Sequence, residues 1–173
     1  MSEFSRTPAG ADRSPLLFLD VDGPLIPFGL TAYPALGPPD DSNPLLSRLD
    51  PGHGPRLAAL ACDLLWATTW MHDANEIIAP RLGLPELAVV AWPEPSAVDD
   101  LDERAGLHWK TRALVDRAGG RPFAWVDDEI TDVDRAWVSA HHRGSALLHR
   151  VDPRYGLTDA DYTALEGWLG KAF

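Results

Sequence analysis

Leu16-Leu17-Phe18-Leu19-Asp20-Val21-Asp22-Gly23-Pro24-Leu25-Ile26 is the stretch on which the reading of the whole chain turns. Apolar from Leu16 to Val21 except at Asp20, it has the pattern of a strand buried on both faces, as in parallel sheets. Asp20 and Asp22 are two positions apart, so on an extended backbone both side chains point to the same side. Like charges held that close repel, unless a cation sits between them or one carries a proton. Gly23 and Pro24 break the strand and leave the carboxylates at its C-terminal edge, where open α/β sheets hold their ligands. The plainer reading of these residues alone is a strand end running into a common Asp-Gly turn.

Three further pieces follow in order. Leu64-Leu65-Trp66-Ala67-Thr68-Thr69 is an apolar run ending in two hydroxyls, Lys110 is a lone lysine opening a helix, and Phe123-Ala124-Trp125-Val126-Asp127-Asp128 is an apolar run ending in an acidic pair. With the first stretch, these resemble motifs I to IV of the haloacid dehalogenase (HAD) superfamily of phosphohydrolases, and they frame residues 15–150. The run Trp66-Ala67-Thr68-Thr69-Trp70-Met71-His72-Asp73-Ala74-Asn75 is similar to a stretch in small bacterial HAD proteins, including HAD domains attached to RNA-repair proteins.

The resemblance implies a role for each matched residue. Asp20 would be the nucleophile that forms an aspartyl-phosphate, and Asp22 would protonate the leaving oxygen and then deprotonate the attacking water. Mg²⁺ would be held by Asp20, the backbone carbonyl of Asp22, Asp128, and Asp127 directly or through water. Thr68 would hold the phosphate by its hydroxyl and the following amide, with Thr69 one position on as the competing assignment. Gly23 belongs with them as a phosphate-binding residue, and Lys110 would neutralise phosphate charge and keep Asp20 ionised. Trp70 and His72 would line the substrate entrance, although packing is the default role of a tryptophan. Asp132, one helical turn beyond Asp128, would either orient a metal-bound water or, with Glu129, complement a helix dipole. Pro24 stands where the family commonly has Thr or Val; a proline removes a backbone donor and stiffens this turn, which bears on turnover rate more than on reaction type.

Composition narrows the class. A chain of 173 residues fits a single domain with a real core. A formal net charge of −11 argues against a general binder of phosphate backbones and against direct nucleic-acid binding, and no basic or aromatic platform for a strand is evident. A phosphorylated substrate remains compatible, because a bound divalent cation reverses the sign locally. The single cysteine, Cys62, excludes an internal disulfide, fits a reducing cytoplasm, and sits among apolar neighbours as filler. No signal-peptide core and no membrane-length apolar stretch is present, so the expectation is a soluble cytoplasmic protein.

Strands alternating with helices predict a doubly wound, mainly parallel five-stranded α/β sheet with helices on both faces. Residues 1–14 are expected to fray and 15–173 to form one domain. The loop 27–55, rich in Pro and Gly, is expected to hold one short hairpin or strand near 45–49. Pro55 opens a helix containing Leu57, Leu60, Ala61 and Leu64, and the second strand runs over 64–67. Asp73, with Glu76 at capping-box spacing, would cap a helix that ends near Gly83. Further expectations are a strand over 86–92, an acidic loop or weak helix over 93–107, helices over 109–118 and 131–141, strands over 123–126 and 146–151, and a last helix capped by Thr158. His141 and His142 lack metal-ligand spacing and read as surface residues. Neither segment following motif I or motif II reaches the length of a cap domain.

The function so implied is a Mg²⁺-dependent phosphatase acting through an aspartyl-phosphate on a small phosphoester or a macromolecule end. A phosphotransferase would use the same residues with another acceptor. A non-catalytic phosphate-binding or interaction domain of the same fold has no need of a second carboxylate at motif I. A response-regulator receiver, also doubly wound, places its lysine after its phosphorylation site, and Lys110 precedes the late acidic pair here.

Overall fold

The computed structural model describes residues 14–171, so all but one of the residues expected to fray lie outside the described residues. Leu16–Leu19 forms β1, with every side chain buried. It is the middle of a five-stranded, all-parallel sheet ordered β3-β2-β1-β4-β5. The flanking strands are β2 (Asp63–Trp66), β3 (Ala88–Val89), β4 (Phe123–Asp127) and β5 (Ala146–Arg150).

Among the described residues six α-helices accompany them: α1 (His53–Ala59), α2 (Ala79–Leu82), α3 (Ala97–Ala105), α4 (Thr111–Ala118), α5 (Asp132–His141) and α6 (Asp159–Leu169). Alternation along β1 splits the core in two. Leu17 and Leu19 pack with residues of α1, α2 and α6, while Leu16 and Phe18 pack with Leu114 and Ala118 of α4 and Val138 of α5. Two dry layers around one sheet are the doubly wound arrangement expected, and no large cap is inserted.

Several local expectations are corrected. The strand or hairpin near 45–49 is a 3₁₀ turn, Pro44–Arg48, because Pro44 presets the first φ and the Asn43 side chain accepts from the Leu45 amide. α1 begins two residues before Pro55 and stops at Ala59; Leu60 is extended and buried, so its apolar side chain serves the core without belonging to the helix. The third strand shrinks from 86–92 to Ala88–Val89, an edge element paired only with Leu65 and Trp66 of β2.

Asp73 has helical backbone angles and makes no side-chain cap. The segment it leads is a π turn, Ala74–Ile78, running into α2, and Pro80 offers no amide to the carbonyl four residues back. Gly83 ends α2 in the left-handed conformation expected of it. The weak acidic helix is α3, fixed by a capping box between Ser96 and Asp99; Thr158 and Asp161 cap α6 in the same way. Among the described residues no helix is long and apolar enough to cross a membrane.

α1 and α2 meet backbone to backbone at Gly54, where a Cβ would stand 1.6 Å from the Leu82 carbonyl oxygen. Gly54→Ala must force these helices apart, and denaturant unfolding should register a loss of about 3 kcal/mol, the upper range for overpacking. Unchanged stability would mean the two helices do not cross at that point.

Candidate active site

Strand register gathers the site. Leu19 is level with Trp66 of β2 and with Val126 of β4, so the next residues, Asp20 and Asp127, emerge side by side at the carboxyl edge, with Thr68 just beyond β2. The Asp20 amide donates to the Val126 carbonyl at 3.1 Å and the Ala67 amide to the Leu19 carbonyl at 2.8 Å, carrying the ladder up to the site itself.

Lys110 enters from the other side. Its side chain is 3% exposed, and Nζ lies 2.8 Å from Asp20 Oδ2 and 2.8 Å from Asp127 Oδ2. Asp127 is fully buried and also accepts from the Trp125 indole and from the Glu129 amide. Burial disfavours the Lys110 ammonium, yet the Asp20 and Asp127 charges outweigh it and hold the group above its ordinary value. Burial pushes Asp20 up to about 7 against the pull of Lys110 and with the help of Asp127, and burial with the Asp127 charge pushes Asp128 up to about 6.

The loop carrying Lys110 is pinned by residues that the motif pattern did not reveal. The Lys110 amide donates to His108 Nδ1 at 3.1 Å, and His108 Nε2 meets Glu129 Oε2 at 3.0 Å. Buried Asp134, on the first turn of α5, accepts from the His108 amide and the Thr111 hydroxyl, and from both the amide and hydroxyl of Thr131. The capping-box spacing of Thr131 and Asp134 was the signal that could have found it. Asn75 plays a matching part behind motif II, accepting from the Trp66 indole and from the Leu87 amide and donating to the Leu87 carbonyl.

Carboxylate oxygens of Asp20, Asp127 and Asp128 lie within 4.8 Å of one another. Three carboxylates against one ammonium leave an excess of negative charge, and among the described residues no cation pairs with the half-buried Asp128 carboxylate. Gly23 makes room for it, since a Cβ there would stand 2.6 Å from Asp128 Oδ1. An all-oxygen cluster short of positive charge fits Mg²⁺, a hard cation that takes one or two carboxylates and keeps waters. A neighbouring group of His108, Asp127 and Glu129 is equally close, but its histidine is held as the support of the Lys110 loop.

The other expected site residues divide. Thr68 is buried just beyond β2 and its hydroxyl accepts from the Trp70 amide, whereas Thr69 is exposed one residue on. Trp70 turns back to β1, and its indole N–H donates to Asp22 Oδ2 at 3.0 Å. His72 is exposed, and Asp132 is 99% exposed and paired with Arg135.

Gly23 does not present its amide to a phosphate, because that amide donates to the Ile26 carbonyl at 3.0 Å; its φ of +92° and its missing side chain are what the turn needs. Pro24 lies in the same buried turn, with its carbonyl accepting from the Leu157 amide at 2.9 Å. His142 is half-buried rather than a surface residue and bonds the Arg121 carbonyl; His141 is exposed and stacks on Trp137. Burial pushes the Cys62 thiol up to about 12, so it is inert filler.

A parallel α/β sheet without a large cap, carrying two acidic strand ends, a hydroxyl and a buried lysine at one edge, defines a HAD-type domain. The chain belongs to the family described as the HAD domain in Swiss Army Knife RNA repair proteins, which it matches over residues 16–162. No curated protein and no solved structure matches it.

The raised carboxyls set a stability signature. Between the ordinary value of 3.8 and about 6 to 7, the folded chain keeps protons on Asp128 and Asp20 that the unfolded chain has lost, so these two groups make stability fall as pH rises through that window. A divalent cation at the cluster replaces those protons. Calorimetry should therefore show a larger Mg²⁺-induced rise in Tm at pH 7.5 than at pH 5. Half-buried His53 and His142 titrate in the opposite sense but largely cancel in the with-minus-without difference. Equal Mg²⁺ shifts at both pH values would contradict a site at these carboxylates.

Proposed function

We propose that this chain is a Mg²⁺-dependent phosphatase that works through a phosphoryl group carried on Asp20. The observation that bears most weight is the Lys110 ammonium wedged between Asp20 and Asp127. It holds the nucleophilic carboxylate in place and leaves a positive charge where equatorial phosphate oxygens gather negative charge. In the first step an Asp20 oxygen attacks phosphorus, the bond to the leaving oxygen breaks, and Asp22 gives that oxygen its proton. In the second, Asp22 takes a proton from water, the water oxygen bonds to phosphorus, and the acyl-phosphate bond breaks to free Asp20 and inorganic phosphate.

Thr68 orients the phosphoryl oxygens beside Lys110. Asp20, Asp128, the Asp22 carbonyl and, directly or through water, Asp127 would hold Mg²⁺, which would supply charge neutralisation for the transferring group.

As substrate we favour a phosphate at the end of an RNA. The family description supports this class, and a site without a large cap admits a polymer end. A structural feature adds to it: Trp109 is 45% exposed, packs edge-to-face with Trp92 at 4.8 Å between ring centroids, and lies 5.6 Å from Lys110 Nζ. Two aromatic rings distant in sequence that meet beside Lys110 support a stacking surface that the linear pattern did not show.

Purified protein should hydrolyse an aryl phosphate with Mg²⁺, lose turnover in EDTA, and lose at least about 10³-fold in kcat on Asp20→Asn, the scale of removing a covalent nucleophile. RNA carrying a terminal phosphate should then be dephosphorylated with a higher kcat/KM than glycerol phosphate. Absence of Mg²⁺-dependent hydrolysis in folded protein would overturn the phosphatase reading, and equal kcat/KM values would overturn the RNA assignment alone.

A further inference from the structure

We propose that Trp70 is the positioning residue for Asp22, its indole N–H holding that carboxylate in the orientation from which it serves the leaving oxygen. This rests on the acid role given to Asp22 above. Asp20 and Asp127 share the Lys110 ammonium, but among the described residues no cation pairs with Asp22, and the Trp70 indole is its side-chain donor. A neutral donor fixes one carboxylate oxygen by direction and leaves the other to face a substrate.

Local geometry explains how a residue after β2 reaches a side chain after β1. The chain folds back immediately beyond Thr68: the Trp70 amide donates to the Thr68 hydroxyl at 3.2 Å and the Met71 amide to the Thr68 carbonyl at 3.3 Å. Met71 has φ +50°, a left-handed conformation that a methionine rarely adopts. Such conformations persist where the surroundings over-determine them, and they gather at functional turns. Here the turn carries the indole across the strand ends, and the half-buried ring packs against the main core cluster, so it is a fixed post. One residue thereby ties the turn that holds Thr68 to the carboxylate two positions beyond Asp20.

Trp70→Phe keeps an aromatic ring, though a smaller one, and removes the N–H. The test compares two phosphomonoesters: p-nitrophenyl phosphate, whose weakly basic phenolate leaves with little need of a proton, and glycerol phosphate, whose alkoxide needs one. Trp70→Phe should lower kcat/KM on glycerol phosphate about tenfold or more, within the range of general acid catalysis, while kcat/KM on the aryl ester falls about twofold or less, because this ratio reports only the steps up to phosphorylation of Asp20 and omits the later water-activating step that both esters share. A proportional loss on both esters is what loosened packing would give and would overturn the role of Trp70 alone. Turnover of neither ester by the wild type would instead overturn the phosphatase reading and the role with it.

A second measurement does not depend on activity. With indole-labelled tryptophan, selective exchange of Asp22→Ala should move one of the seven indole N–H resonances, the one lost in any Trp70 variant, and leave the others in place. An unmoved Trp70 resonance would overturn the contact.

Discussion

Everything at the carboxyl edge of the sheet depends on one buried ammonium between two buried carboxylates. Lys110 touches Asp20 from β1 and Asp127 from β4, so it joins the two central strands at the point where their backbone ladder ends. Taking such charges out of water is costly, and removing one member of a buried pair typically costs about 3–5 kcal/mol because the survivors are left uncompensated. Two carboxylates for one lysine, with Asp128 alongside, leave the site short of positive charge. Burial and the neighbouring charges raise the Asp20 and Asp128 carboxyls, which eases that shortage, and a hard cation would relieve it further. An all-oxygen cluster with that excess of negative charge fits a hard cation.

The supports of Lys110 show why the helix it opens cannot drift. Its amide rests on His108, whose own amide rests on Asp134, and Asp134 also caps α5 through Thr131. Four donors on one buried carboxylate make Asp134 a joint between the lysine loop and the helix that follows the acidic pair. On the opposite side, the turn after β1 closes on itself through the bonds of Leu25 and Ile26 to Val21 and is fastened to the segment before α6 through Pro24. Proline at this position therefore sits in a turn already fixed on both sides, and Gly23 contributes the space that Asp128 occupies.

Sheet and site motifs were legible because both are written in short range. Five apolar runs separated by helical spacing give a parallel sheet, and carboxylates at the ends of two of them land together in any register that buries Leu19 and Val126. What could not be read depends on pairings distant in sequence. Trp70 to Asp22, Asn75 to Leu87 and Trp109 to Trp92 are side-chain meetings that no periodicity encodes. The misplaced elements have local causes: Pro44 and Asn43 favoured a tight 3₁₀ turn over a strand, and Pro80 broke the regular pattern that Asp73 would have capped. Asp132 was placed by helical spacing on the correct helix, but its side chain points to solvent, and Asp134 two residues on faces the site loop instead.

The central claim is that Asp20, held by Lys110, is the atom-donating nucleophile. Beryllium fluoride mimics a phosphoryl group on a carboxylate and needs no knowledge of the substrate. A crystal structure of the protein grown with Mg²⁺ and beryllium fluoride should show beryllium bonded to an Asp20 oxygen, with the Lys110 ammonium against its fluorides and the cation at Asp20 and Asp128. An adduct on another carboxylate, or a bound cation with Asp20 left bare, would contradict it.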